Sequence, residues 1–159
     1  MIKVRRARPA DIPLIARGQK ELNRYHLRYE SSFYAPAPAA SKEFQAFLAE
    51  RLGNPDFLIL AAEDGAAIAG FALAWVERRP PLYKKRKVGY LSNIYVDEAH
   101  RRSGLGTRLY ARVEAWFRTH KVDFIQTRAH VRNRSTLKTF RRWGLKDLSL
   151  TLSKEIKRR

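Results

Sequence analysis

At Ser103 the hydrophobic period of the chain changes. Upstream, Val88 to Val96 has strand character; downstream, Leu105, Leu109, Val113, Trp116 and Phe117 recur at i, i+4, i+8, i+11 and i+12, which places them on one face of a helix. Between the two lies the run Tyr95-Val-Asp-Glu-Ala-His-Arg-Arg-Ser-Gly-Leu-Gly-Thr107, a basic turn with two glycines. A strand that feeds an amphipathic helix through so short a turn implies a sheet with a helix on its face.

The rest of the chain agrees. Ile2 to Arg6 alternates apolar and charged residues, as a half-buried strand would. Asp11 reads as the N-cap of a helix from about Ile12 to Tyr29, with Pro13 in its first turn. Ser31 to Ala40, with Pro36 and Pro38, is a loop; Ser41 can cap a second helix carrying Phe44, Phe47, Leu48 and Leu52, which Gly53-Asn54-Pro55 ends. Phe57 to Ala62 and Ala67 to Val76 are apolar runs joined by Glu63-Asp64-Gly65, a hairpin signal. A short strand near Asp123 to Arg128, a helix opened by Asn133 and stopped at Gly144, and the alternation Leu148, Leu150, Leu152 complete the order β-α-α-β-β-β-α-β-α-β. This order predicts a single domain over residues 1–159, an α/β fold with one twisted sheet flanked by helices.

Composition narrows the function classes. Hydrophobic residues make up 45% and charged ones 30%, with three Trp, seven Tyr and eight Phe, so the chain can build a core. It has no cysteine, which excludes disulfides, thiolate metal sites and cysteine nucleophiles. No metal site is expected. Neither a signal peptide nor a membrane span is read from the sequence, so a cytoplasmic protein is expected.

The turn carries the chemistry. A helix N-terminus collects unpaired N–H groups and the positive end of the macrodipole, and glycines let an anion approach the backbone. Gly104-Leu-Gly106 alone is weak, and the run fits neither the nucleotide loop nor the dinucleotide fingerprint. Arg101-Arg102-Ser103-Gly104-Leu105-Gly106, however, matches R/Q-x-x-G-x-G/A and follows the apolar strand end Ile94-Tyr95-Val96-Asp97. In these residues the sequence resembles the GNAT superfamily of acetyl-CoA-dependent N-acetyltransferases. The resemblance extends through the opening strand, the Asp11 helix, the hairpin with Gly70-Phe71, Asn133, and the helix end Trp143-Gly144-Leu145.

That resemblance implies a mostly antiparallel twisted sheet with a splayed parallel strand pair, flanked by about four helices. It implies acetyl-CoA as co-substrate, with its pyrophosphate on the backbone of Arg101, Arg102, Ser103, Gly104, Leu105 and Gly106, helped by Thr107. The pantetheine arm would run beside Ile94, Tyr95 and Val96, with one N–H there, taken as that of Ile94, polarising the thioester carbonyl. Asn133 matches a family position near that arm and is equally a helix cap; Arg132 or Arg134 is placed to reach the nucleotide phosphates. Trp116, Phe117 and Trp143 read as packing residues.

Two departures from the family pattern bear on mechanism. The late-helix tyrosine that can return a proton to the CoA thiolate corresponds here to Phe140, which has no proton to give. The acidic residues that many members carry in the central strand are replaced by Leu91-Ser92-Asn93. A lysine acceptor with an ordinary pKa of ~10.4 has no lone pair at pH 7, so a base is needed. Candidates are water held by Ser92 or Asn93, His26, Glu63, Tyr83, or the substrate itself.

Lys and Arg number 33 against 15 Asp and Glu, a formal charge of +18 at pH 7. The charge is concentrated in three places: Arg78 to Lys87, His100 to Arg142, and Lys154 to Arg159. CoA phosphates use few of these cations. The surplus fits an acidic protein or nucleic-acid surface, or solvated helix faces. The expected function is acetyl transfer to a primary amine, on a small molecule or a protein, by direct attack in a ternary complex. The alternative is a nucleic-acid-binding or CoA-binding regulatory module on the same scaffold without turnover. A monomer or homodimer is expected, with no membrane association.

Overall fold

The structure, a computed structural model, describes residues 1–156. The end of the basic stretch Lys154 to Arg159, from residue 157 on, lies outside the described residues. The elements run β1 (Lys3–Arg6), α1 (Ile12–Leu27), α2 (Ala40–Arg51), β2 (Phe57–Asp64), β3 (Ala67–Arg78), β4 (Lys87–Val96), α3 (Leu105–Thr119), β5 (Phe124–Thr127) and α4 (Arg134–Arg142). All five strands join one sheet in the order β1-β2-β3-β4-β5. The first three pairings are antiparallel and β4–β5 is parallel, so the expected mixed sheet with one parallel pair is what the chain forms.

β2 and β3 are continuous apolar runs because both faces of the sheet are covered. On one face Leu58, Leu60, Ala72, Ala74 and Leu91 meet Leu105, Leu109, Val113 and Phe117 of α3. On the other, Ile59, Phe71 and Leu73 meet Ile15 of α1 and Leu48 of α2. The face of α3 read from the sequence is the buried one. Among the described residues no helix is long and apolar enough to cross a membrane.

Three local expectations are corrected. Asp11 does not cap α1: it accepts the Arg8 N–H at 2.7 Å and the Arg5 guanidinium at 2.6 Å, a charge-assisted pairing that outcompetes neutral capping. Ser41 lies inside α2, whose cap position is Ala39. The last strand does not form: Leu148, Leu150 and Leu152 are 66–85% exposed, and no strand pairs with this stretch. Alternation makes a strand only where an edge accepts it, and β5 offers just four residues.

Candidate active site

β3 and β4 pair with a register shift: Leu73 faces Asn93 while Ala74 faces Leu91, so Ser92 is an extra residue, a β-bulge. The parallel pairing with β5 stops one residue earlier, at Leu91 and Thr127, where the Thr127 hydroxyl donates to the Leu91 carbonyl at 2.8 Å. β4 continues to Val96, so beyond Ser92 it runs on with no strand paired on its β5 side among the described residues. The strands open into a gap there.

The bulge decides which groups line that gap. The Asp97 N–H bonds to the Ala69 carbonyl at 2.9 Å, so Asp97, Tyr95 and Asn93 direct their backbone groups at β3. Ile94 and Val96 therefore turn theirs into the gap. The Val96 carbonyl confirms the direction by accepting Arg101 Nε at 3.2 Å. Of the three residues expected to meet a pantetheine arm, Tyr95 differs from the other two: its backbone faces β3, and its ring packs at 5.5 Å from that of Phe71 and against Gly18.

At the end of the gap lies the basic turn. Arg102 and Gly104 both adopt left-handed conformations, φ 60° and 82°, and α3 starts at once. Among the described residues, the N–H groups of Arg102, Ser103, Gly104, Leu105, Gly106 and Thr107 find no acceptor, because nothing precedes the helix to supply one. Space beside Gly104 is open: a Cβ there would meet no atom within 4 Å. Apart from Arg102, which is exposed, several side chains are otherwise engaged. Arg101 lies over the Tyr25 ring at 4.6 Å, Ser103 donates to the His100 carbonyl, Leu105 is buried, and Thr107 accepts the Trp143 indole N–H at 3.3 Å. The turn thus offers mainly backbone, with the Arg102 side chain beside it.

A polar row crosses from β4 to α1. Ser92 donates to Asn93 Oδ1 at 2.6 Å, Asn93 donates to Gln19 Oε1 at 3.0 Å, and Gln19 donates to Asn23 Oδ1 at 2.8 Å. Since Ser92 spends its hydrogen on Asn93, its oxygen presents only lone pairs to anything beyond. His26 follows on α1, at i+3 from Asn23 and i+7 from Gln19; its ring lies tilted against that of Tyr34 at 5.1 Å, and Tyr34 meets His130 edge-on at 6.3 Å. Burial, and then the nearby His130, hold the His26 pKa below the ordinary imidazole value. His26 is carried by α1 and His130 by the loop after β5.

The other sequence candidates fall as follows. Asn133 is the cap of α4: its side-chain oxygen accepts the Thr136 N–H at 3.2 Å. Arg132 turns away from the basic turn and bonds to the Tyr29 carbonyl, with Glu30 at 3.8 Å. Glu63 is excluded as a base, since both its oxygens are held at 2.9 Å by Arg5 at the far edge of the sheet. Tyr83 lies in the β3–β4 loop under Arg79. Phe140 is buried beside Trp143 and offers no proton. Sequence reasoning missed Gln19 and His130; the polar stripe Gln19, Asn23, His26 on an otherwise amphipathic helix was the available signal for the first. Among the described residues no three His, Asp or Glu side chains gather as a metal site.

The family model for the acetyltransferase (GNAT) family matches residues 22–145, which include the bulge, the gap and the basic turn. The chain belongs to the GNAT acetyltransferase family. Among curated proteins there is no match by sequence. Solved structures share the fold of this acetyltransferase over nearly its whole length. A mutant of the BH1408 protein from Bacillus halodurans is 20% identical, with 98% of this chain and 99% of that one covered and a TM-score of 0.84. A GCN5-related N-acetyltransferase from Ralstonia eutropha JMP134 is 25% identical, with 98% and 99% covered and a TM-score of 0.78. A predicted acetyltransferase with acetyl-CoA from Clostridium acetobutylicum is 22% identical, with 98% and 96% covered and a TM-score of 0.75.

Proposed function

We propose that this acetyltransferase takes acetyl-CoA as co-substrate and transfers the acetyl group to a primary amine by direct attack. The observation that carries the reading is the continuity of the gap beyond Ser92 with the six unpartnered amides of Arg102 to Thr107. The amides would hold the pyrophosphate, as a helix N-terminus holds anions. The Ile94 N–H, on the side of β4 that β5 does not pair, would donate to the thioester carbonyl and to the oxyanion that develops from it. The Ser92 oxygen, limited to accepting, would orient the amine N–H. His26, neutral at pH 7 through its lowered pKa, would take the amine proton, directly or through water. The C–N bond forms, the C–S bond breaks, and CoA leaves as a thiolate; with a thiol pKa near ~8.5 it needs little help from an acid, in keeping with Phe140.

The test is a calorimetric titration of acetyl-CoA into the wild-type protein and Gly104→Glu. In the variant a carboxylate enters the anion site and φ 82° becomes strained, so affinity should fall at least about tenfold while circular dichroism stays native. Unchanged affinity in a folded variant would place the co-substrate elsewhere. Thiol release from acetyl-CoA with a panel of small amines and peptide amines then identifies the acceptor class.

A further inference from the structure

The face of the sheet that carries α1 and α2 is not covered out to its edge. α1 reaches β4 at Asn93 and Tyr95, and Phe47 of α2 packs on Phe57. Farther along, Trp75 and Tyr90 are cross-strand partners with ring centroids 4.9 Å apart, both half-buried. On β5, Ile125 packs into the α3 side of the core, so Phe124 points to the Tyr90 side, where it is 47% exposed. Aromatic rings thus occupy three adjacent strands of one face.

Cations border these rings. Arg128 lies 5.9 Å from the Tyr90 ring centre and Lys85 5.3 Å from that of Phe124. Lys85 belongs to the loop from Arg78 to Lys87, whose form is fixed by the Arg79 N–H on the Arg86 carbonyl at 2.8 Å and by Arg79 over the Tyr83 ring at 3.5 Å. None of the loop's six Lys and Arg side chains forms an ion pair among the described residues. Two acids are near: Glu77 accepts the Trp75 indole N–H at 2.6 Å and Asp123 accepts the Lys87 backbone N–H at 3.1 Å.

We propose that this face binds single-stranded nucleic acid, with bases stacked on Phe124, Tyr90 and Trp75 and phosphates on Lys85, Arg128 and the Arg78 to Lys87 loop. Cations alone would fit any polyanion, but the exposed Phe124 ring beside the half-buried Tyr90 and Trp75, the last already stacked on Phe57 at 5.4 Å on one side, fits unpaired bases, which an acidic polypeptide lacks. The site is separate from the acetyl-CoA turn, so it does not depend on the transfer reaction.

Fluorescence anisotropy tests it with a labelled oligouridine of about 12 nucleotides, the matching DNA, a duplex, and polyglutamate as competitor. Single strands should bind, with duplex and polyglutamate at least about tenfold weaker. Phe124→Ala should weaken binding about fivefold or more with the salt slope unchanged, whereas Lys85→Glu with Arg86→Glu should flatten the slope. The RNA and DNA arms tell which strand is preferred. Acetyl-CoA titration serves as the folding control for each variant. Absence of binding at low salt, indifference of a folded Phe124→Ala, or preference for duplex or polyglutamate would each overturn the proposal.

Discussion

Arg5 holds two carboxylates at once. Its Nη1 is 2.6 Å from Asp11 and its Nε 2.9 Å from Glu63, which ties β1 to the turn before α1 and to β2. Hydrogen bonds from Arg5 are the main reason that both acids ionise below the usual carboxylate range. Carboxylates with lowered pKa contribute stability above pH ~4, and that contribution is lost as pH falls through the lowered values. Arg5→Met, which strands the buried Asp11, should cost about 3 kcal/mol at pH 7 and flatten the acid limb of stability, as read by urea unfolding between pH 3 and 7. His26 has the same sign at a higher pH: its pKa is lowered, so stability is full above ~6.5 and falls as pH drops below that value. His26→Gln should remove that loss and, if His26 takes the amine proton, lower kcat about a hundredfold. Retention of full kcat would assign the proton to another group. The sequence marked Asp11 as a helix cap and did not show its pairing with Arg5, because that pairing is completed by Glu63 from another strand, and pairing across strands leaves no local pattern.

α3 rests on β4 through one missing side chain. A Cβ on Gly89 would stand 2.5 Å from the Phe117 ring, so the helix and strand touch at a distance that only glycine permits. Gly89→Ala should destabilise by about 1–3 kcal/mol and displace α3 against β4, with acetyl-CoA affinity falling as well because the basic turn begins that helix. Chemical unfolding and calorimetry check the two effects. Helix α3 was legible because its five apolar residues follow the helical period; the bulge was not, because Tyr90-Leu91 and Ile94-Tyr95-Val96 are contiguous apolar pieces in which no break of alternation can be read. The final strand was misread because period-two alternation records a capacity to pair and not the presence of a partner.

Over the whole molecule positive charge exceeds negative by 18. Among the described residues ion pairs engage six arginines, so most cations repel one another through solvent. The melting temperature should therefore rise when salt is raised from about 0.02 to about 0.3 M, since screening relieves repulsion within the Debye length. A fall would mean that the ion pairs outweigh the repulsion.

The bulge at Ser92 sets a rule for how β4 can vary. Its first part must put Leu91 beneath α3, and its last part must turn Ile94 toward β5; a strictly alternating strand satisfies one demand and breaks the other. One supernumerary residue reconciles them. Exchange of Ser92 for another small side chain keeps the count, while loss of any single residue from Ser92 to Ile94 swaps inside for outside in everything downstream. Length in this strand is thus under tighter constraint than spelling.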